Sequence, residues 1–538
     1  MAEPVHPPWF NPERPSQEDG VLPYVLERNA RVCADDVAFR FDTGDVWTHA
    51  ETLEKTRQTA AFLQSHGVSR GDLVVVWLPS GPDIIRCWFA LNYLGAVFAP
   101  LNLDYRGSLL QHAISETRAS LMIVHPGLVD RLEFIDDSLL QKVLVVGEPG
   151  NAPELSAELV SCTLDFDEQI TEPADVNLWD PQMVIFTSGT TGPSKGVLCP
   201  YLHQYRVGEC CYGYMGSDDC IMIDLPMFHV GGVSSVMGAV CKQAVVALYS
   251  GFSTADFWAR IRENNASSVS GIIGAMAAFL AKAPKQDDDA DNPLKMVTLM
   301  LNEQVIEVAK RFGFSYVSGF NMSELAVPLL TEVDCREVGS CGVPRTGCQA
   351  RVVDAHDIEC EPGVVGELVV RYDQPWETCI EYLNQPAATA EAWRNGWFHT
   401  GDLVRREADG NFYFVDRLKD AVRRRGENVS SIEVESEILG FEAVNEVAVV
   451  GVPSEHGEEE LLAAVASGGP EIDPRALVEY LIPRMPHYMV PRYIRVMDAL
   501  PKTPTNKIQK YTIREEGVTK DTWDREAAGM KLKRTRLS

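Results

Sequence analysis

The sequence has few basic residues for its length and no long apolar segment, and each absence excludes a class of protein. Its 48 Lys and Arg residues face 77 Asp and Glu residues, which gives a formal charge of −29. Binding to a phosphate backbone needs an excess of Lys and Arg, so a general nucleic-acid binder is excluded. The longest apolar run, Phe89 to Leu101, is too short to span a bilayer and contains Gly95 and Pro100. We therefore expect no membrane insertion.

Familiar short motifs are missing as well. Thirteen cysteines are scattered without a CxxC pair, and such an odd, unpatterned set in a large chain predicts reduced thiols and a cytoplasmic protein. The first residues show neither a charged lead nor an apolar segment, so we expect no secretory signal. The chain lacks GxxxxGK(S/T), a GxGxxG after a strand and an HRD-type loop. Walker-type NTPases, dinucleotide-binding dehydrogenases and kinases are therefore disfavoured.

The order of helix-like and strand-like segments predicts the fold class. At 538 residues the chain is too long for one compact domain. Before Gly363 the two patterns alternate, and the run Leu73 to Leu78 is typical of a strand buried on both faces. This alternation predicts α/β layers with mainly parallel sheets. After Gly363, the short strands 366–371 and 410–415 predict an antiparallel β subdomain.

A compact tail follows, with helices predicted at 431–439 and 474–481 and strands at 444–450, 461–465 and 493–496. Its size is ordinary for an independent domain. We therefore predict an α/β protein with a large N-terminal domain over residues 1–416, made of layered α/β subdomains plus a β subdomain. Residues 417–538 are predicted to form a small C-terminal α+β domain.

The segment 184–196 carries the clearest chemistry in the chain. An apolar strand leads into a loop of hydroxyl groups, glycines and one lysine, with these candidate ligands: Thr187, Ser188, Gly189, Thr190, Thr191 and Lys195. Glycines let backbone amides approach an anion, hydroxyls donate hydrogen bonds, and the lysine adds a point charge. The segment therefore predicts a phosphate-binding loop, with a polar glycine-rich turn as the alternative.

This loop resembles the signature loop of the adenylate-forming superfamily, which includes acyl-CoA synthetases, luciferases and peptide-synthetase adenylation domains. The resemblance covers residues 38–514, with the further motifs in the family's order. It implies a cytoplasmic, AMP-forming acid–thiol ligase of fatty acid metabolism. Such an enzyme makes acyl-AMP from ATP and a carboxylic acid, releases pyrophosphate, and passes the acyl group to coenzyme A with release of AMP.

The resemblance also implies ATP, Mg²⁺ and coenzyme A as cofactors, and it leaves a homodimer open. Two alternatives keep the adenylation: transfer to a carrier-protein thiol, and oxidation of the acyl-AMP as in luciferase. A third is a catalytically silent nucleotide or acyl sensor, against which the joint presence of the family's polar residues argues.

Two further segments resemble the family's acyl and nucleotide motifs. The segment 319–324, Gly-Phe-Asn-Met-Ser-Glu, resembles the Tyr-Gly-x-Thr-Glu element. It implies ATP binding by Phe320, Asn321 and Ser323, and a catalytic Glu324 that holds magnesium, which prefers carboxylate and phosphate oxygens. The segment 225–232 resembles the aromatic-histidine segment beside the acyl pocket. The implied catalytic His229 shares that pocket with three further residues: Val230, Gly274 and Gly319.

The remaining motifs lie in the last third of the chain. The segment 397–402, Trp-Phe-His-Thr-Gly-Asp, implies that Asp402 accepts hydrogen bonds from the ribose hydroxyls. The segment 415–420 implies a nucleotide contact at Arg417 and a hinge at Lys419, about which a mobile small domain rotates between the two half-reactions. The segment 501–508 implies that Lys507 is the catalytic lysine that neutralises developing charge during adenylation.

One departure from the family concerns the acyl side. Where the family carries a Gly-Gly-Ala-Pro-like turn, this chain has Thr298 to Glu303, which is shorter and has no glycine. Glu303 either favours a cationic substrate or simply starts a helix at 304–311, where acids favour the positive end of the dipole. The walls of the acyl pocket are expected from the segments 205–214, 229–233, 270–275 and 317–322. These segments mix small, aromatic and thiol side chains, so we expect a short-to-medium acid, with the carnitine/crotonobetaine branch as the best single choice.

Overall fold

The protein is described by a computed structural model over residues 7–150, 152–187, 194–272, 276–277, 280–281, 284–299, 301–417, 421–424, 427–454, 458–501, 508 and 510–532. Within these ranges the strands form five sheets, three in a large N-terminal domain and two in a small C-terminal one. This arrangement confirms the predicted fold class. The boundary between 416 and 417 stays a prediction.

The first sheet is the parallel layer that the early segments predicted. In spatial order, with strands numbered along the chain, it contains β19 (Glu381–Tyr382), β9 (Lys195–Pro200), β8 (Pro181–Thr187), β4 (Val97–Pro100), β3 (Leu73–Trp77), β5 (Leu121–Val124), β6 (Lys142–Val146) and β7 (Glu158–Cys162). The strands from β8 to β7 pair in parallel, and β9 and β19 extend the edge in antiparallel. The predicted strand at Leu73 is thus confirmed as a central one, and its Val74, Val75 and Val76 are buried.

Helices cover the faces of this sheet, as burial of both faces requires. The helices in this part of the chain are α1 (Gln17–Gly20), α2 (Leu22–Val32), α3 (His49–Ser65), α4 (Pro82–Tyr93), α5 (Gly107–Thr117) and a 3₁₀ helix (Pro126–Phe134). α4, α5 and the 3₁₀ helix contact the strands of this sheet, and α2 and α3 pack on α4. The start of α3 is fixed by a capping box, in which Thr48 and Glu51 each accept a hydrogen bond from the other's backbone N–H.

The second sheet has five strands and is mostly parallel. Its order is β12 (Ser268–Val269), β10 (Cys220–Ile223), β11 (Val245–Leu248), β1 (Val37–Phe41) and β2 (Val46–Thr48), and only the β1–β2 pair is antiparallel. The helices of this region are α6 (Tyr201–Tyr212), α7 (Val230–Cys241) and α8 (Phe257–Glu263). A Cβ atom on Gly208 would lie 2.8 Å from the Cα of Gly238, so glycine at this crossing lets α6 and α7 pack backbone to backbone.

The third sheet is the β subdomain. Its order is β13 (Met296–Leu299), β14 (Ser315–Met322), β15 (Leu325–Leu330), β16 (Ser340–Pro344), β21 (Phe412–Arg417), β20 (Phe398–Arg406), β18 (Val365–Tyr372) and β17 (Cys348–Val353). Also here are α9 (Glu303–Phe312), α10 (Pro386–Ala392) and a 3₁₀ turn (Arg394–Gly396). The predicted start of antiparallel structure after Gly363 was wrong, because β14, β15 and β16 already pair in antiparallel. Every residue of β15 is buried, so its pattern is that of an interior strand.

The small domain follows with a hairpin and a second sheet. The hairpin consists of β22 (Ala421–Arg424) and β23 (Glu427–Ser430), and the sheet of β24 (Glu446–Pro453), β25 (Glu459–Ala466), β26 (Tyr493–Met497) and β27 (Trp523–Asp524). Its helices are α11 (Ser431–Leu439), α12 (Pro474–Leu481) and α13 (Lys510–Glu516). The helices predicted at 431–439 and 474–481 are confirmed to the residue.

The small domain packs against the α5 side of the first sheet. Buried apolar side chains of both domains form one continuous cluster, which includes Val75 and Trp77 on one side and Val422 and Val434 on the other. At its edge the Asn102 amide donates a hydrogen bond to the Tyr488 hydroxyl at 2.8 Å. This contact places residues of the small domain directly over the carboxyl ends of the first sheet's strands.

Two features of the described residues bear on location. All thirteen cysteines are free of disulfide bonds. Among the helices described above, none is long and apolar enough to cross a bilayer.

Candidate active site

The predicted phosphate-binding loop joins β8 to β9, and its two ends lie side by side. Thr187, the last residue of β8, is the register partner of Lys195, the first residue of β9. The hairpin therefore holds both ends of the loop at the edge of the first sheet. Ser188, Gly189, Thr190 and Thr191 lie outside the described residues.

Lys195 and Glu324, which are 129 positions apart in sequence, meet at Tyr382. The Lys195 ammonium lies 4.3 Å from the centroid of the Tyr382 ring, and the Tyr382 hydroxyl donates a hydrogen bond to Glu324 Oε1 at 2.8 Å. Burial and the nearby Glu324 carboxylate raise the pKa of Tyr382, so the hydroxyl keeps its proton and remains a donor. The arrangement places a cation and a carboxylate where the loop enters β9.

Ser194, the residue before β9, is gripped from both domains. Its backbone N–H and its hydroxyl donate to Glu433 Oε1 at 2.6 and 2.7 Å, and its carbonyl accepts a hydrogen bond from His112 Nε2 at 2.7 Å. Glu433 belongs to α11 of the small domain, whereas His112 belongs to α5 of the large one. Burial raises the pKa of the Glu433 carboxyl, and the two Ser194 hydrogen bonds oppose that rise.

The three residues predicted to bind ATP at the 319–324 element lie on β14 and in the tight turn to β15. Phe320 is 8% exposed and joins the core, and Ser323 stands in the turn beside Glu324. Asn321 is exposed, and its side-chain oxygen accepts a hydrogen bond from the Val327 N–H at 3.0 Å. Val327 has a positive φ of 43°, which is rare for a β-branched residue. The Asn321 amide thus fixes the hairpin that presents Glu324.

Asp402 and Arg417, both predicted to contact the nucleotide, are opposite each other in the β20–β21 register. The turn before Asp402 is held by Glu367, whose Oε1 accepts from the Gly401 N–H at 3.0 Å. The second oxygen of Glu367 accepts from His399 Nδ1 at 2.9 Å. Asp402 is only 6% exposed, so this network positions a buried carboxylate on the same sheet as Phe320.

His229 and Val230, which were predicted to line the acyl pocket, form the start of α7. The carbonyl of His229, the N-cap residue, accepts from the N–H groups of Gly232 and Val233 at 3.1 and 3.2 Å. The His229 ring lies 4.6 Å from the Phe228 ring, centroid to centroid. At Gly319 a Cβ atom would lie 2.5 Å from the Leu329 carbonyl oxygen, so only glycine fits there.

Three predicted site residues, Gly274, Lys419 and Lys507, lie outside the described residues, and only the backbone of Arg417 is described. The structure therefore brings together Thr187 with Lys195, Lys195 with Glu324, and Asp402 with Arg417. Their roles stay predictions.

Comparison with known proteins decides the family. Residues 26–376 match the family model described as AMP-binding enzyme, and residues 433–507 match the AMP-binding enzyme C-terminal domain. The chain belongs to the AMP-binding enzyme family. The predicted superfamily is thereby confirmed.

Curated relatives match almost their whole length. A feruloyl-CoA synthase of an Amycolatopsis species is 30% identical over 502 residues, covering 90% of this chain and 97% of that protein. A crotonobetaine/carnitine–CoA ligase of Salmonella arizonae is 27% identical over 517 residues, with the same coverage. With such relatives, this member of the AMP-binding family is an AMP-forming acid–CoA ligase, and ATP and CoA are its co-substrates. The two named acids differ in kind, so the relatives leave the acid undefined.

A solved structure shows the same fold. A double mutant of o-succinylbenzoate CoA synthetase from Bacillus subtilis, bound to a product analogue, overlays with a TM-score of 0.80 at 21% identity. The match covers 92% of this chain and 98% of that one. The two chains therefore share one fold over nearly their whole lengths.

The contacts around the ligase motifs include residues that sequence reasoning missed. Tyr382 contacts the predicted residues Lys195 and Glu324. Glu367 holds Gly401 and His399 just before Asp402, and His112 and Glu433 hold Ser194 just before Lys195. None of these four supporting residues belongs to a motif that we had connected with the site. Each lies far along the chain from its partner, and a single Tyr, His or Glu carries no local signal. Glu367 was visible only as part of the predicted strand 366–371.

Proposed function

We propose that this ligase activates a short-to-medium carboxylic acid as acyl-AMP and transfers it to coenzyme A. The observation that carries the proposal is the meeting of Lys195 and Glu324 at Tyr382, because it brings two separate motifs to one end of the loop. A carboxylate is a poor acylating agent, and adenylation supplies it with a leaving group. Positioning and charge neutralisation then suffice, without a covalent enzyme nucleophile.

In this proposal the loop residues and Lys195 bind the β- and γ-phosphates of ATP. The formal charge of −29 opposes a polyanionic ligand, so the cations must act locally. Lys195 satisfies this need because its ammonium is held over an aromatic face, a favourable place for a cation. Lys507 is assigned to the attacking carboxylate and the α-phosphate, where charge develops.

Glu324 fits a magnesium ligand in its chemistry. It is a buried carboxylate with one oxygen oriented by Tyr382, and Mg²⁺ typically binds one or two protein carboxylates together with substrate phosphates. A bound Mg²⁺ would neutralise phosphate charge. The protein's part is to hold Glu324 at the tight turn between β14 and β15.

Asp402 and Arg417 are assigned to the ribose and its phosphate side. The hydrogen bonds from Gly401 and His399 to Glu367 hold the turn that presents Asp402, so the carboxylate needs little reorganisation on binding. After adenylation, the small domain is proposed to rotate about Lys419. This rotation moves Lys507 out of the space that the incoming thiol of CoA then enters. We also propose a cytoplasmic location, supported by the thirteen free cysteines.

The test is CoA-dependent AMP formation by the purified protein on a panel of acids: acetate to palmitate, aryl acids, crotonobetaine and carnitine. Highest kcat/KM for a short or medium acid supports the proposal, and highest kcat/KM for palmitate contradicts the proposed acid class. Acid-dependent pyrophosphate exchange without CoA-dependent AMP release would point instead to a carrier-protein thiol.

A further inference from the structure

Asp224 is a buried carboxylate that the reaction as proposed does not use. It follows β10 directly and is 4% exposed. Its Oδ1 accepts a hydrogen bond from the Ser270 hydroxyl at 3.2 Å, and its backbone N–H donates to the same hydroxyl at 3.4 Å. Its Oδ2 is buried and has no hydrogen-bond partner in the described part of the chain. A buried acceptor without a donor costs about 1–3 kcal/mol, more when charged.

The position of Asp224 is that of a ligand site. β10 and β12 are neighbouring parallel strands, and Asp224 and Ser270 stand at their carboxyl ends. In open α/β sheets ligands bind outside these ends. Five residues after Asp224 the chain reaches His229, the cap of α7. Asp224 therefore lies at the carboxyl ends of two strands, in contact with Ser270 and five residues before His229, which we assign to the acyl pocket.

The hydroxyl groups of Tyr212 and Ser235, on the neighbouring helices, have hydrogen-bond partners within the protein. The Tyr212 hydroxyl donates to the Ser270 carbonyl at 2.8 Å, and Ser235 Oγ lies 2.9 Å from the Tyr212 hydroxyl and 2.6 Å from the Gly231 carbonyl. This chain of hydrogen bonds ties α6, α7 and the end of β12 together. It leaves the second oxygen of Asp224 as the unsatisfied acceptor.

Burial also affects the charge of the group. Desolvation raises the pKa of Asp224 to about 6, while the Ser270 hydrogen bond opposes the rise. Near neutral pH most of the population is therefore ionised inside an apolar region. A donor from a ligand would relieve both the desolvation and the missing hydrogen bond.

We propose that Asp224, oriented by Ser270, is a specificity residue that binds a hydroxyl group of the acid, remote from its reacting carboxylate. This inference rests on the proposed function, since it names the class of acid that enters the same pocket: hydroxylated acids rather than unsubstituted ones. An acid without the hydroxyl leaves the Asp224 oxygen buried and unpaired. Sites built around a polar group discriminate strongly against ligands that lack its partner.

Two matched pairs of acids test the proposal: 4-hydroxycinnamic against cinnamic acid, and 6-hydroxyhexanoic against hexanoic acid. We expect at least one hydroxylated acid to exceed its partner in kcat/KM by about 100-fold in the wild-type enzyme. In Asp224→Leu the ratio should fall to within about threefold, and in Asp224→Asn and Ser270→Ala to intermediate values. Because the readout is a ratio within one preparation, loss of folded protein cancels, and Asp224→Asn serves if the leucine variant does not fold.

The matched control is Asp219→Asn, which removes a carboxylate at the opposite end of β10, where Asp219 pairs with Lys295 at 2.8 Å. It should keep the wild-type ratio. Equal kcat/KM within both pairs in the wild type, or a ratio that survives Asp224→Leu, overturns the inference while the ligase function stands. Absence of CoA-dependent AMP formation with every acid of both pairs and of the wider panel overturns the proposed function and this inference with it.

Discussion

Ser194 and Lys195, which follow the phosphate loop, are held by contacts on two sides, and the two sets of contacts differ in construction. On the large-domain side, Lys195, Tyr382 and Glu324 form a contact within one domain. On the small-domain side, Glu433 accepts two hydrogen bonds from Ser194 across the domain boundary. The first contact does not involve the small domain, whereas the second would be broken by the rotation of the small domain that we propose.

This difference suggests a division of labour. The large-domain contact places charge for the nucleotide, so its loss should weaken adenylation in every arrangement. The small-domain contact reports whether the domain is docked on the loop, so its loss should change the balance between the two half-reactions. The experiments below separate these two consequences.

The largest effect is expected for Lys507→Ala. Lys507 comes from the small domain and is assigned to the charge that develops only during adenylation. Acid-dependent pyrophosphate exchange should fall by about 10²–10³-fold, the usual loss on removing one transition-state donor. Thiolysis of supplied acyl-AMP should survive largely intact, and equal loss in both half-reactions would contradict the role assigned to this lysine.

On the large-domain side, Glu324→Gln should reduce pyrophosphate exchange by about 100-fold and raise the Mg²⁺ concentration needed for half-maximal rate. Tyr382→Phe is the matched control, because it keeps the ring under Lys195 and removes only the hydrogen bond to Glu324. Partners of a metal ligand usually affect affinity by about 10–100-fold, so we expect about tenfold here. A Tyr382→Phe loss as large as that of Glu324→Gln would show that the hydroxyl has a role of its own.

The predictability of these two sides from sequence was unequal. Thr187, Lys195, Glu324 and Asp402 belong to motifs that are visible in the sequence: the first two to a loop whose glycines and hydroxyls show the chemistry locally, the other two to segments that resemble family motifs. The partners that orient them do not: Tyr382 lies 187 positions after Lys195, and its environment is set by the pairing of β19 with β9. Local patterns therefore predicted the ligands, and only the tertiary fold could supply their supports.

The fold shows the same division. The helices 431–439 and 474–481 were predicted to the residue, because apolar periodicity and a Pro after Asp473 fix them locally. The start of the antiparallel sheet was predicted wrongly. β15 is buried at every position, and such an apolar run does not show whether the neighbouring strand is parallel or antiparallel. Pairing direction depends on residues far along the chain.

A third experiment restricts the proposed rotation of the small domain about Lys419, a rotation that should break the Glu433 contact and leave the Tyr382 contact in place. Lys419→Pro fixes φ at the proposed hinge and restricts the conformation of the residue before it. One arrangement should be disfavoured, and the two half-reactions should differ in their loss by about tenfold or more. Rates near wild type in both would place the hinge elsewhere.

The smallest effect is expected for the pH dependence of the Glu433–Ser194 contact between the two domains. Burial raises its pKa above the ordinary 4.5 in the docked arrangement. The contribution of a group whose pKa is raised is fully present below the ordinary value, and it is lost as pH rises through the raised one. Docking in the wild type should therefore weaken with rising pH. In Glu433→Gln an acceptor for the Ser194 N–H remains, the charge is gone, and docking should not depend on this group's titration.

Hydrogen exchange of the Ser194 amide measures docking directly, since that N–H donates to Glu433 at 2.6 Å. Comparing wild type with Glu433→Gln at each pH cancels the intrinsic pH dependence of exchange. We expect the protection of the wild type relative to the glutamine variant to fall by about two- to threefold as pH rises above 4.5, the scale of a partly compensated hydrogen bond.

A second background changes His112, which contacts Ser194 from the large domain and lowers the Glu433 pKa when charged. His112→Gln keeps a donor for the Ser194 carbonyl while removing that charge. If the protection ratio stays constant with pH both with His112 and with Gln at position 112, the Glu433–Ser194 contact does not depend on the protonation of Glu433. The small-domain contact would then be as insensitive to pH as we expect the Tyr382 contact to be.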